Sequence, residues 1–201
     1  MEKISTESVT RYFKVFFDYV RLLVDIPESD REDCRRMFQP VFARRDTLVA
    51  KAGEVPAYHN FIVSGYMRNY YHDSEGREVT TDINDGPRFF TSYHAFMDRT
   101  VSQENLHCIT DCELLQISRD DVDVAAATGI TQQEYSLLIL QYHLQQNKQR
   151  LIDFATLSAE ERYLKLMKQH PTIIQHVPLK HVASYLGINP GSLSRIRKEI
   201  G

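Results

Sequence analysis

Apolar side chains return at helical spacing over residues 8–24, "SVTRYFKVFFDYVRLLV", which predicts an amphipathic helix. Lys14, Asp18 and Arg21 interrupt the run, so it does not read as a membrane span. "SDRE" at Ser29–Glu32 has the form of a capping box opening a second, short helix. From about Val41 to Ile117 the period changes. Short runs rich in Val, Ile, Thr, Tyr and Phe alternate with the turn signals "KAGEVP", "VSGY", "DSEGRE" and "NDGP". That spacing predicts an antiparallel barrel or sandwich rather than parallel β-α-β units. Thr131 and Glu134 form a further capping box ahead of a long helix through about Phe154. Within it Leu137, Leu140, Leu144, Asn147, Leu151 and Phe154 recur at steps of three and four, the seam of a coiled coil. So narrow a stripe either packs on its own domain or pairs with its twin; a polar Asn in the seam fixes register and favours pairing. "SAEE" at Ser158–Glu161 caps another helix, which runs to Pro171. The predicted divisions are residues 1–129, 130–157 and 158–201, with no internal repeat and no low-complexity tract.

Charge is shared unevenly along this pattern. The chain carries −3 overall, yet residues from Ser158 onward carry seven Lys/Arg against three acids, a net of +4 that leaves −7 on the remainder. An acidic body with a basic end suggests that the end meets a polyanion. Cys34, Cys108 and Cys112 are too few and too irregular for a disulfide framework, which favours a reducing cytoplasm. The start "MEKISTESVT" lacks the basic and apolar regions of a signal peptide.

The basic end has an organised form. Pro178 opens a short helix in "PLKHVASYLG", with Val182, Ala183 and Leu186 on one side and Gly187 as its stop. Asn189 is an N-cap and Pro190 the first residue of a second helix. The spacing from Ala183 through Gly187 to Leu193 and Ile196 suits a helix-turn-helix: a small residue for close approach, a glycine for positive φ, and apolar wedge residues with Ile188. With Leu193, Ile196 and Ile200 facing inward, Gly191, Ser192, Ser194, Arg195, Arg197 and Lys198 lie around the polar part of the second helix. Its N-terminal half suits a major groove, with Ser192 and Arg195 toward base edges. Arg197, Lys198 and Lys180 suit phosphates, as do the backbone N–H groups near Gly191 and Ser192.

Taken together, the chain resembles the Crp/Fnr family of bacterial transcription regulators over nearly its full length. The resemblance rests on "SDREDCRRMF", "LVAKAGEVPAYHNFIVSGYM", "DSEGREVTTDINDG", "DCELLQISRDD" and "VPLKHVASYLGINPGSLSRIRKEI". It implies an α+β fold: an N-terminal antiparallel β-roll (a double-stranded β-helix) of the cyclic-nucleotide-binding type, a long dimerisation helix, and a C-terminal helix-turn-helix of the winged-helix type. It further implies a homodimer acting on a palindromic operator in duplex DNA, with RNA polymerase as a further partner and no catalysis. Gly53 and Gly65 fall at turn glycines of the family's roll, and Arg195 falls on an arginine that the family uses in DNA recognition.

The chain also departs from the family. Thr91, Ser92 and Tyr93 stand where cyclic-nucleotide binders carry Gly-Glu-Leu, and Ser102 and Gln103 stand where they carry Arg-Ser. The cyclic phosphate thus loses its bidentate partner and the ribose its acceptor. A cyclic nucleotide is not the expected ligand, although Arg99 lies close in sequence. A cysteine cluster for iron and sulfur is missing near the N-terminus, and His59, His72, His94 and His107 have no tight ligand pattern, so neither cofactor nor metal is expected. The aromatic rings of the roll are expected to fill its interior; the competing expectation is that Arg68, Tyr70, Phe90, Tyr93 and Arg99 outline a pocket for an unidentified small effector. The chain ends at Gly201, directly after the recognition helix, where many family members continue into a wing. Two other readings are a ligand-binding roll that acts through protein contacts and a cupin-like metal enzyme. The second lacks any His-X-His, and Arg195, Arg197 and Lys198 weigh against the first.

Overall fold

The computed structural model describes residues 4–84 and 86–200; Asp85 of the "NDGP" turn and Gly201 lie outside the described residues. Helices α1 (Thr6–Arg21) and α2 (Glu28–Met37) precede strands β1 (Gln39–Ala43), β2 (Leu48–Ala50), β3 (Tyr58–Ser64), β4 (Met67–His72), β5 (Glu78–Ile83) and β6 (Arg88–Phe90). A short helix α3 (Tyr93–Met97) leads to β7 (Asn105–Cys108) and β8 (Cys112–Ser118). Helices α4 (Arg119–Thr128), α5 (Gln132–Thr156), α6 (Ala159–Gln169), α7 (Pro171–His176), α8 (Leu179–Tyr185) and α9 (Pro190–Ile200) follow.

The strands form two antiparallel sheets, ordered β1-β8-β3-β6 and β2-β7-β4-β5. Side-chain alternation explains why the first sheet reads as nearly unbroken apolar sequence: it is buried on both faces. Ile62, Phe90 and Leu114 point between the sheets, where they meet Met67, Leu106, Cys108 and Cys112. Their neighbours Phe61, Phe89 and Leu115 point outward against α1. There Phe16 sits edge-on to Phe61 with ring centroids 5.1 Å apart, a favourable aromatic geometry. Cys108 and Cys112 are core residues, wholly buried.

Two of the anticipated helix starts differ from the sequence reading. Pro27 is the N-cap of α2, so Ser29 lies inside the helix and its hydroxyl bonds Asp30 instead of capping. Thr131 is the N-cap of α5, but its side chain caps nothing in that helix; its hydroxyl donates to the Asp30 carboxylate at 2.9 Å. Asp30 is 2% exposed and also accepts from the Ile130 and Thr131 backbone N–H groups at 3.2 and 2.8 Å. Burial pushes the Asp30 carboxyl up, and these hydrogen bonds outweigh it and hold the group below the usual carboxylate range. The capping box at Ser158 and Glu161 is formed in full.

The C-terminal helices close on a core of Tyr163, Leu166, Ile173, Val182, Ala183 and Leu193, to which the roll contributes Ile83 and Ile109. Helix α8 lies along β5, the edge strand of its sheet. Ser184 Oγ accepts from the Thr80 backbone N–H at 2.9 Å and donates to the Glu78 carbonyl at 3.1 Å. Arg150 of α5 donates to the Thr80 and Thr81 carbonyls and to that of Tyr185. No strand follows α9 among the described residues.

Candidate functional site

Helices α8 and α9 form the anticipated helix-turn-helix. Ala183 is wholly buried where the helices approach, and Leu193 of α9 is buried with it. Gly187 between them has φ +70°, and a Cβ there would stand 2.6 Å from Phe154 Cε1. Only glycine meets both demands without strain. Asn189 is bound into the turn: its Oδ1 accepts from the Ser192 backbone N–H at 2.8 Å. That N–H is therefore not open to an anion, which corrects the expectation for Ser192.

The polar side of α9 is open. Gly191, Arg195, Arg197 and Lys198 are exposed, as is Asn189 ahead of the helix, while Ser192 and Ser194 are half-buried. Arg195 Nη2 donates to Ser192 Oγ at 3.3 Å, which holds the guanidinium over the first turns of the helix. Among the described residues neither Arg197 nor Lys198 pairs with a carboxylate. Lys180 is exposed on α8. Ile200 does not face inward as expected; it is 38% exposed.

The row on α5 is uncovered in a single chain. Leu137, Leu140, Leu144 and Leu151 are 55, 42, 67 and 72% exposed, and Asn147 is exposed among them. Phe154 is engaged within its own chain, with the Arg150 and Arg162 guanidinium groups 5.2 and 4.8 Å from its ring centroid.

The anticipated effector residues do not converge. Arg68 is 3% exposed beneath α8, paired with Glu78 at 2.5 Å and stacked on Tyr70 at 4.1 Å. Phe90 fills the space between the sheets. Arg99 lies on the surface and is held by Asp120 at 2.6 Å and Asp123 at 3.2 Å. Tyr93 lines a cavity outside the roll, and Arg99 lines a separate one with Val55, Arg119 and Asp120, so the five share no pocket. Where the family's phosphate loop would be, Ser102 Oγ donates to Ser92 Oγ at 3.0 Å. Two histidines sit in surroundings that the sequence did not signal. His181 of α8 is buried beside Arg68, its ring 6.3 Å from that of His107. Burial, with repulsion from Arg68 and Lys180, pushes its pKa down to about 4. His59 is the second, pushed down to about 3 by burial and by His143.

No protein-family model matches the chain, and no curated relative matches it in sequence. Solved structures do match its shape. FixK2 of Bradyrhizobium japonicum superposes with a TM-score of 0.70 over 81% of this chain and 84% of that one, at 15% identity. A crp/fnr-family transcriptional regulator from Eubacterium rectale gives 0.69 over 94% and 86%, at 13% identity. The fold is that of the Crp/Fnr regulators. The c-di-GMP-responsive global regulator CLP of Xanthomonas campestris carries the Crp/Fnr fold as well, at 0.68 over 87% and 91% with 17% identity. The two-sheet roll, the long α5 and the C-terminal helices all belong to this shared architecture. Among the described residues no helix is long and apolar enough to cross a membrane.

Proposed function

We propose that the chain is a homodimeric, sequence-specific DNA-binding transcription regulator, with residues 1–129 as sensor, 130–157 as dimer helix and 158–201 as reader. The observation that carries this reading is the open side of α9. Its apolar face is spent on the helix-turn-helix core, while Arg195, Arg197 and Lys198 stand exposed, the latter two without a carboxylate. Arginines on the N-terminal half of such a helix suit guanine edges, and cations further along suit phosphates. The uncovered leucine row of α5 supports a parallel pairing that would present two such helices to half-sites about one turn apart.

DNA binding measured against salt tests the reading, because displaced counterions make affinity fall steeply as salt rises. Arg195→Ala is expected to cost about 1–3 kcal/mol on the preferred site and to relax its sequence preference. Lys198→Ala is expected to weaken binding evenly across sequences. Salt-insensitive binding, or an asymmetric single-site footprint, contradicts the proposal. We further propose that the sensor takes no cyclic nucleotide. The phosphate position holds the Ser92–Ser102 hydroxyl pair, and Arg99 is committed to two aspartates. Calorimetry with cyclic AMP should show no saturable heat; a micromolar isotherm overturns this part.

A further inference from the structure

A cavity of about 250 Å³ lies on the outer side of the β1-β8-β3-β6 sheet, closed by α3, α4 and α5. It is separate from the space between the sheets, which side chains fill. Its walls are chiefly apolar, with Phe89 and Ile117 from the sheet, Val122 and Ala125 from α4, and Ile139 from α5. Among the described residues no charged side chain lines it. An ion entering would therefore lose its hydration without compensation, which excludes phosphates and carboxylates as occupants. Unfilled volume of this size destabilises a packed interior in proportion to its extent, and a dry apolar cavity of about 150 Å³ already accepts benzene.

His59 faces this apolar space with its hydrogen-bonding capacity unused. His59 of β3 sits deep in the protein, with ring centroids of Phe89, Tyr93 and Phe96 at 4.7, 5.7 and 5.5 Å. Part of the ring surface is nevertheless open, and His59 lines the cavity. Among the described residues nothing hydrogen-bonds its ring nitrogens. Burial keeps the imidazole uncharged, so it offers one donor and one acceptor. We propose that this cavity is a binding site for a small uncharged aromatic molecule of one or two fused rings, whose single polar group hydrogen-bonds His59. The occupant would also touch Tyr135 and Ile139, on the helix that carries the leucine row.

The absence of tryptophan from the chain makes indole a direct probe, because its emission can be excited beyond tyrosine absorption. Titrating indole with the full chain should show saturable binding at one per chain, whereas indole-3-acetate, which carries a carboxylate, should not saturate over the same range. Ala125→Leu fills the cavity from α4 and should abolish the signal. His59→Phe keeps the ring volume, removes the hydrogen-bond partner and should weaken indole binding roughly three- to tenfold. Circular dichroism establishes that each variant is folded, and Ala126→Leu replaces Ala125→Leu if that chain fails to fold. Absence of saturable indole binding to the folded wild type overturns the proposal. So does undiminished binding in the filled variant, or equal affinity for the charged analogue. None of these outcomes bears on DNA binding, which is measured separately.

Discussion

Leu144→Ala tests whether the exposed row on α5 is covered by a second copy. Leu144 is 67% exposed, so about two-thirds of its side chain remains to be buried by a partner. Removing its terminal carbons forfeits roughly 2.4 kcal/mol where they are fully buried, at ~0.8 kcal/mol per methylene, and about two-thirds of that here. Symmetry counts the loss twice, giving ~3 kcal/mol per dimer and a roughly 200-fold rise in the dimer dissociation constant. Sedimentation equilibrium over a concentration series reads this shift directly. The control is Leu22→Ala: Leu22 is 82% exposed, more than Leu144, but follows α1 and lies off the row. It should leave association unchanged. An unaltered association constant for Leu144→Ala, or an equal loss in Leu22→Ala, refutes the assignment of α5 as the pairing surface.

Asn147→Leu should tighten association while admitting other registers or oligomers, seen as mixed species by native mass spectrometry. Gly187→Ala should lower the urea midpoint by the equivalent of about 1–2 kcal/mol, because φ +70° disfavours a Cβ and Phe154 occupies its place. Asp30→Asn should cost roughly 1.5–3 kcal/mol through its weakened bonds to Ile130 and Thr131. The Asp30 pKa is lowered in the native state, so its stabilisation holds above the usual carboxylate range and fades as pH falls through the lowered value; the variant's stability should flatten there. His181 titrates natively near 4 against an ordinary 6.5, so the native state disfavours its proton and loses stability as pH falls from 6.5 toward 4. His181→Gln should shallow that decline in urea midpoints taken across the range.

What could be read ahead was whatever local pattern dictates. Turn glycines and alternating apolar residues marked the roll, and Ala183, Gly187, Asn189 and Leu193 marked the helix-turn-helix, because each acts on its immediate neighbours. What escaped depends on distant partners. The Thr131 hydroxyl goes to Asp30, a hundred residues earlier in the chain, so a helix start that looked self-contained is secured from α2. Arg68 has the residue type of a ligand anchor, but Glu78, across the β4–β5 hairpin, and Thr80 consume it. The cavity at His59 is assembled from residues between Phe38 and Ile139, and no short stretch of sequence carries its outline.

The ladder at the margin of the second sheet is finished by groups from elsewhere in the chain, Ser184 and Arg150, rather than by another strand. A fragment cut free of residues 130–201 would expose a bare row of amides and carbonyls, primed to recruit a stranger's backbone and precipitate. Lifting the C-terminal helices off β5 trades each sealed amide and carbonyl for water. Any motion of those helices relative to the strand has to supply that exchange.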